Sequence, residues 1–191
     1  MKRAVLAAAA IASLSLAACG SGETAGDAAP AGPNRTTPEV VASWLEPQSC
    51  PTGIAAAAGL DIADSPEEGL IAEPSPTLLL CFFGSDITNG TGGSLESPAA
   101  FVIAGTGATA EGMATPKDQA QAGGGTVTDL PEFGASAYQF TQSDGATSVC
   151  SIMASEGTGE AAAAFSVTVA GPSSISSQDL CDAAMGIARM R

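Results

Sequence analysis

The side chains that could carry chemistry in this 191-residue chain are five cysteines and twenty carboxylates, with no histidine among them. Without an imidazole there is no Ser-His-Asp or Cys-His catalytic group and no HExxH metal site. The cysteines form no CxxC pair, the spacing that thiol-exchange enzymes use. Lys117 is the one lysine beyond the first few residues, and no SxxK motif surrounds it. Carboxylates gather at Asp61, Asp64, Glu67 and Glu68, and again at Asp129 and Glu132. A glycosidase pair needs an aromatic-lined cleft, which one Trp and one Tyr cannot furnish. The first group also lacks the ligand order and central glycine of an EF-hand loop. Gly123, Gly124 and Gly125 stand in neither a GKS/GKT nor a strand-GxGxxG-helix context, so they predict a loop and not a phosphate cradle. The expectation is a chain that is not an enzyme, with no metal and no cofactor.

Cys19 stands apart from the other cysteines. Met-Lys-Arg opens the chain, and Ala4 to Ala18 follow without a charge. As a helix that run would rise only about 22 Å, short of the roughly 30 Å apolar core of a bilayer. A basic start, a short apolar run and small residues at its end describe a secretory signal peptide over residues 1–18. Leu16, Ala17, Ala18 and Cys19 resemble the lipobox of bacterial lipoprotein precursors. The resemblance implies a diacylglyceryl group on the Cys19 thiol, cleavage before it and retention of acyl chains, palmitate among them, as a membrane anchor. Two or more chains hold firmly where one is marginal, at about 0.8 kcal/mol per buried CH₂. Gly20 to Thr36 is rich in Gly, Ala, Pro, Ser and Thr, too little apolar area to offset ordering. Residues 19–36 are therefore predicted to be the lipidated cysteine and a flexible tether, roughly 20–25 Å end to end.

The remaining cysteines, Cys50, Cys81, Cys150 and Cys181, are even in number, as expected of disulfides in an exported chain. Three pairings are possible from sequence. Both Cys50 to Cys81 and Cys150 to Cys181 span 31 residues, and each joins the neighbourhood of a helix to a strand. The prediction is Cys50–Cys81 and Cys150–Cys181, each closure contributing about 3.5 kcal/mol in the chain-entropy account.

Charge bounds the partners. A formal −14 becomes −16 once Lys2 and Arg3 leave with the leader. Such a surface repels phosphate backbones, so nucleic acid is not expected as a partner.

The elements that must hold these residues occupy a single domain over residues 37–191. Thr37 can cap a first helix with Pro38 at its start, and Val40, Val41, Trp44 and Leu45 form its apolar side. A short Ala-rich helix follows and ends at Gly59. Strands are expected at 77–84, 99–105, 135–140, 147–154 and 162–170, and residues 106–126 read as a loop with one helical turn. Ser176 and Asp179 open a last helix whose packing side is Leu180, Ala184, Ile187 and Ala188. This order predicts an α+β fold: a mainly antiparallel sheet of about five strands, with N-terminal and C-terminal helices on one face and two disulfides.

A lipobox, a low-complexity tether, Cys50 before a short helix ending at Gly59, Phe82-Phe83 after Cys81, the segment LPEFGASAY and a terminal helix together resemble the small cysteine-paired envelope lipoproteins of actinobacteria, of unknown function. The chain departs from them in having Phe82-Phe83 where a Trp is expected beside the second cysteine. The resemblance implies an envelope role and carries no activity. The expected placement is outside the cell, lipid-anchored to the outer face of a cytoplasmic membrane or to an outer membrane, with membrane lipid bound through acylated Cys19 and an envelope protein as partner. Two functions follow: a non-catalytic binding or accessory module, or a carrier or sensor of a small apolar ligand held between sheet and helices, in a pocket lined by Phe82, Phe101, Phe140 and Phe165.

Overall fold

A computed structural model describes residues 35–62, 75–84, 95–115 and 117–190. Cys19 and the leader, most of the tether, Asp64, Glu67 and Glu68 lie outside the described residues. The element order is α1 (Thr37–Leu45), α2 (Ile54–Ala58), β1 (Leu78–Phe83), β2 (Ala99–Thr106), α3 (Ala108–Met113), α4 (Lys117–Ala122), β3 (Thr126–Asp129), β4 (Tyr138–Ser143), β5 (Thr147–Glu156), β6 (Ala163–Pro172) and α5 (Ser177–Ala188). All six strands join one antiparallel sheet in the order β1-β2-β6-β5-β4-β3. The fold is the expected α+β class with one strand more than predicted. That strand, TVTD of β3, is short and mostly exposed, so it shows no apolar alternation for sequence reasoning to find.

Alternation along the strands divides the sheet into two faces. The inner face carries Leu79, Cys81 and Phe83 of β1, Val102 of β2, Phe165, Val167 and Val169 of β6, and Cys150 and Ile152 of β5, all buried. Helices α1, α2 and α5 complete this core with Val40, Val41, Trp44, Ile54, Leu180, Ala184 and Ile187. Each such aliphatic or aromatic side chain contributes roughly 1.5–3 kcal/mol on burial. Phe165 is the centre of an aromatic cluster, with Trp44 at 5.4 Å and Phe133 at 5.5 Å, both edge to face.

Local chemistry sets the helix ends. The cap of α1 falls on Thr36 and not on Thr37: the Glu39 carboxylate accepts from the Thr36 N–H at 2.8 Å and from its hydroxyl at 3.1 Å. These bonds, the backbone one first, hold the Glu39 carboxyl below its ordinary pKa. Thr37 lies inside the helix, fully buried, and donates its hydroxyl to the Phe133 carbonyl at 2.5 Å. In α5 the expected cap is present, Ser176 Oγ accepting from the Asp179 N–H at 3.1 Å. Gly186 lets α5 meet α2 closely, because a Cβ there would collide with the Ala57 carbonyl oxygen.

The outer face is crossed by the connection from β2 to β3, where the sequence suggested a loop with one helical turn and the structure has two six-residue helices. Met113 and Thr109 of α3 fill the space that a side chain on Gly105 would need. Tyr138 fastens the crossover by donating to the Thr115 carbonyl at 3.0 Å, and burial pushes its phenol pKa up.

Candidate functional site

Both disulfides pair as the spacing predicted. Cys50–Cys81 ties the α1–α2 connection to β1 with Cα atoms 5.7 Å apart, and Cys150–Cys181 ties β5 to α5 at 5.2 Å. Cys81, Cys150 and Cys181 are buried, whereas Cys50 is half-buried. The crosslinks brace the core from two sides.

The proposed phenylalanine pocket does not assemble. Phe82, Phe101 and Phe140 lie on one transverse row of the outer face, in the register Phe82, Phe101, Thr168, Ser151, Phe140. Phe82 and Phe101 touch at 6.3 Å, but Ser151 and Thr168, hydrogen-bonded to each other at 2.8 Å, stand between Phe101 and Phe140. Phe140 packs instead against Gly125, where a side chain would strike its ring. Phe165 sits on the opposite face, within the core. Strand parity is the reason: Phe165 pairs with Ala104 and Ala154, both inner-face residues.

The carboxylates also separate. Asp129 pairs with Lys117, and Glu132 lies 3.6 Å from Arg189. A cavity of about 270 Å³ below α3 has Glu111, Glu156, Ser136 and Ser155 in its wall over an alanine floor. Glu111 commits one oxygen to the Gly159 N–H at 2.7 Å. Among the described residues no group of three or more His, Cys, Asp or Glu is placed to hold a metal ion.

A second cavity, of about 210 Å³, opens between the end of α1 and the Cys50 arm, with Ser43 and Trp44 of the helix and Pro47, Ser49, Cys50, Pro51 and Thr52 beyond it in its wall. Two departures from ordinary chemistry occur in the neighbouring chain, at Trp44 and at Gln48. The indole N–H of Trp44, a residue 3 % exposed, has no hydrogen-bond partner, and an unpaired buried donor costs about 1–3 kcal/mol. Gln48 holds a left-handed backbone at φ 52°, the one described residue other than glycine to do so. Such strain persists only where its surroundings impose it. Here Gln48 Nε2 donates to the Leu45 carbonyl at 2.7 Å, closing the last turn of α1. Sequence reasoning placed Trp44 in the core, where it is, but neither its unpaired donor nor the Gln48 conformation has a sequence signature, since glycine is the usual residue at such a turn.

Among the described residues no helix is long and apolar enough to cross a membrane. No protein-family model matches the chain, and comparisons with curated proteins and with solved structures find no match.

Proposed function

We propose that the chain is an exported lipoprotein, anchored through acylated Cys19, whose disulfide-closed domain serves as a non-catalytic binding or accessory module at the cell envelope. The observation that carries this reading is the pair of closed disulfides behind a leader that ends in Leu16-Ala17-Ala18-Cys19. Such bonds persist in oxidising compartments and are rare in the cytosol. A cysteine set aside from both crosslinks, at the end of a short apolar run, is free for acylation. The tether would then let the domain stand roughly 20–25 Å from the headgroups. The apolar-carrier alternative has no comparable support, because the sheet separates Phe165 from Phe82, Phe101 and Phe140.

Metabolic labelling with a clickable palmitate analogue tests the proposal. Label is expected on the native chain and none on Cys19→Ala, with the native form in the membrane fraction. Label retained by Cys19→Ala, or an intact mass beginning at unmodified Met1, would overturn it.

A further inference from the structure

We infer that the thioether sulfur of Met153 is an oxygen-accepting modification site, at which hydrogen peroxide forms the sulfoxide and so unfastens the end of α3 from the sheet. The inference concerns the domain alone and holds whether or not Cys19 carries an anchor. Cys50, Cys81, Cys150 and Cys181 are closed in disulfides, so among the described residues the sulfurs open to peroxide are those of methionine. Met113, Met153, Met185 and Met190 are all half-buried.

Met153 lies on the outer face of β5, and its sulfur accepts from the Tyr138 hydroxyl at 3.2 Å. That hydroxyl has a single proton, and the Thr115 carbonyl oxygen competes for it at 3.0 Å. A thioether is a weak acceptor, so the carbonyl now has the better claim. A sulfoxide oxygen is strongly polar and would take the proton from Thr115. The bond at stake matters because α3 is otherwise lightly held. It has six residues, too few for a stable helix on its own, and its buried residue Ala110 packs with Ala162 and Ala164, Met113 lying beside them. Its start is tied by the Gly107 N–H to the Ala162 carbonyl at 2.9 Å and by Glu111 to the Gly159 N–H at 2.7 Å. Tyr138 ties the other end, through Thr115.

Met113, Tyr138 and Met153 line a cavity of about 10 Å³, room for about one water molecule, so a reagent reaching the sulfur must be small. Hydrogen peroxide is little larger than water. The sulfur lone pair attacks one peroxide oxygen, the O–O bond breaks and an S–O bond forms. The departing hydroxide takes the proton of the transferred oxygen and leaves as water. Sulfur is oxidised by two electrons and the peroxide is reduced by two.

Peptide mass spectrometry and amide exchange on the full chain in detergent, before and after dilute hydrogen peroxide, test this. One added oxygen at Met153 is expected, with exchange of the Ala114 amide, bonded to the Ala110 carbonyl, faster by about five- to tenfold. The amide of Val167, in the core, should stay as protected as before. Methionine sulfoxide reductases acting on both epimers should restore the original exchange. Met153→Leu keeps the apolar bulk, loses the acceptor and should abolish the response, whereas Met113→Leu removes the neighbouring sulfur and should preserve it. Tyr138→Phe should show the faster Ala114 exchange before any oxidant is added. Native exchange at Ala114 in a chain oxidised at Met153, a response that survives Met153→Leu or is lost in Met113→Leu, or an unmodified Met153 once Met185 and Met190 are oxidised, overturns the assignment.

Discussion

Arg35 donates from Nη1 to the carbonyl oxygen of Met190 at 2.8 Å, joining the first described residue of the domain to its last. Its Nη2 also donates to the Glu39 carbonyl at 2.9 Å, so one guanidinium links the start of α1 to the end of α5. Hydrogen bonds from a charged donor to a carbonyl are worth more than neutral ones. Arg35→Ala should lower stability by about 1–2 kcal/mol in urea unfolding. Faster amide exchange in the last turn of α5 should accompany it, and unchanged exchange there would refute the link.

The two faces of the sheet should respond differently to loss of a ring. Phe165→Ala removes the hub between Trp44 and Phe133 and should cost about 3–5 kcal/mol. Phe101→Ala, at a half-buried side chain of the outer face, should cost about 1 kcal/mol. Equal costs in denaturant titrations would contradict the assignment of Phe165 and Phe101 to opposite faces.

Gly186→Ala places a methyl group against the Ala57 carbonyl oxygen, which is backbone and cannot swing aside. The expected loss is about 1–3 kcal/mol, an overpacking penalty. Because α2 is short, it should move before α5 does, and protection of the Ala57 and Ala58 amides would report this.

Removing one crosslink at a time separates their contributions. Cys150→Ala with Cys181→Ala should lower stability by about 3.5 kcal/mol in the chain-entropy account, and the Cys50 and Cys81 pair by a similar amount since the loops are equal. Thermal melts of both double variants check this. A large difference between them would mean that packing, not loop closure, sets the effect.

Acid should act through Glu39 and Asp144. The Asp144 carboxyl is held below its ordinary pKa chiefly by the Thr147 N–H and then by the Ala146 N–H, and Glu39 by its bonds to Thr36. A carboxyl with a lowered folded pKa stabilises the fold above its unfolded value, near 4, and that contribution is lost as pH falls through the folded value. Urea midpoints should therefore fall as pH drops below about 4. Asp144→Asn should flatten that dependence, and a variant curve parallel to the native one would exclude Asp144 as a source.

Much of this architecture is readable from side-chain type and spacing, and the exceptions have physical causes. The equal intervals between Cys50 and Cys81 and between Cys150 and Cys181 match the disulfides because each pairs a strand with the element lying against it. Leu180, Ala184, Ile187 and Ala188 recur at helical spacing, and all are buried. Phe165 was beyond that reach. Strands β2 and β6 carry apolar residues on both faces, so which face holds Phe165 depends on register, a non-local property. The Thr36 cap was missed by one position because two adjacent threonines each satisfy the cap chemistry. The cavity beside Trp44 was illegible for a different reason: it arises where a strained turn, a disulfide arm and a helix end meet, and no single segment encodes it.

Neither sulfur bridge reaches across the seam between β2 and β6. One lies wholly among residues before β2, the other wholly among those after β4. Oxidation can thus lock either end of the molecule while the other is still a coil, and neither has to wait for the long-range zipper that fuses them. Commitment to the final shape falls to β6, which must find β2 across the α3–α4 crossover. A chain already crosslinked correctly at both ends can still be unfinished in its middle.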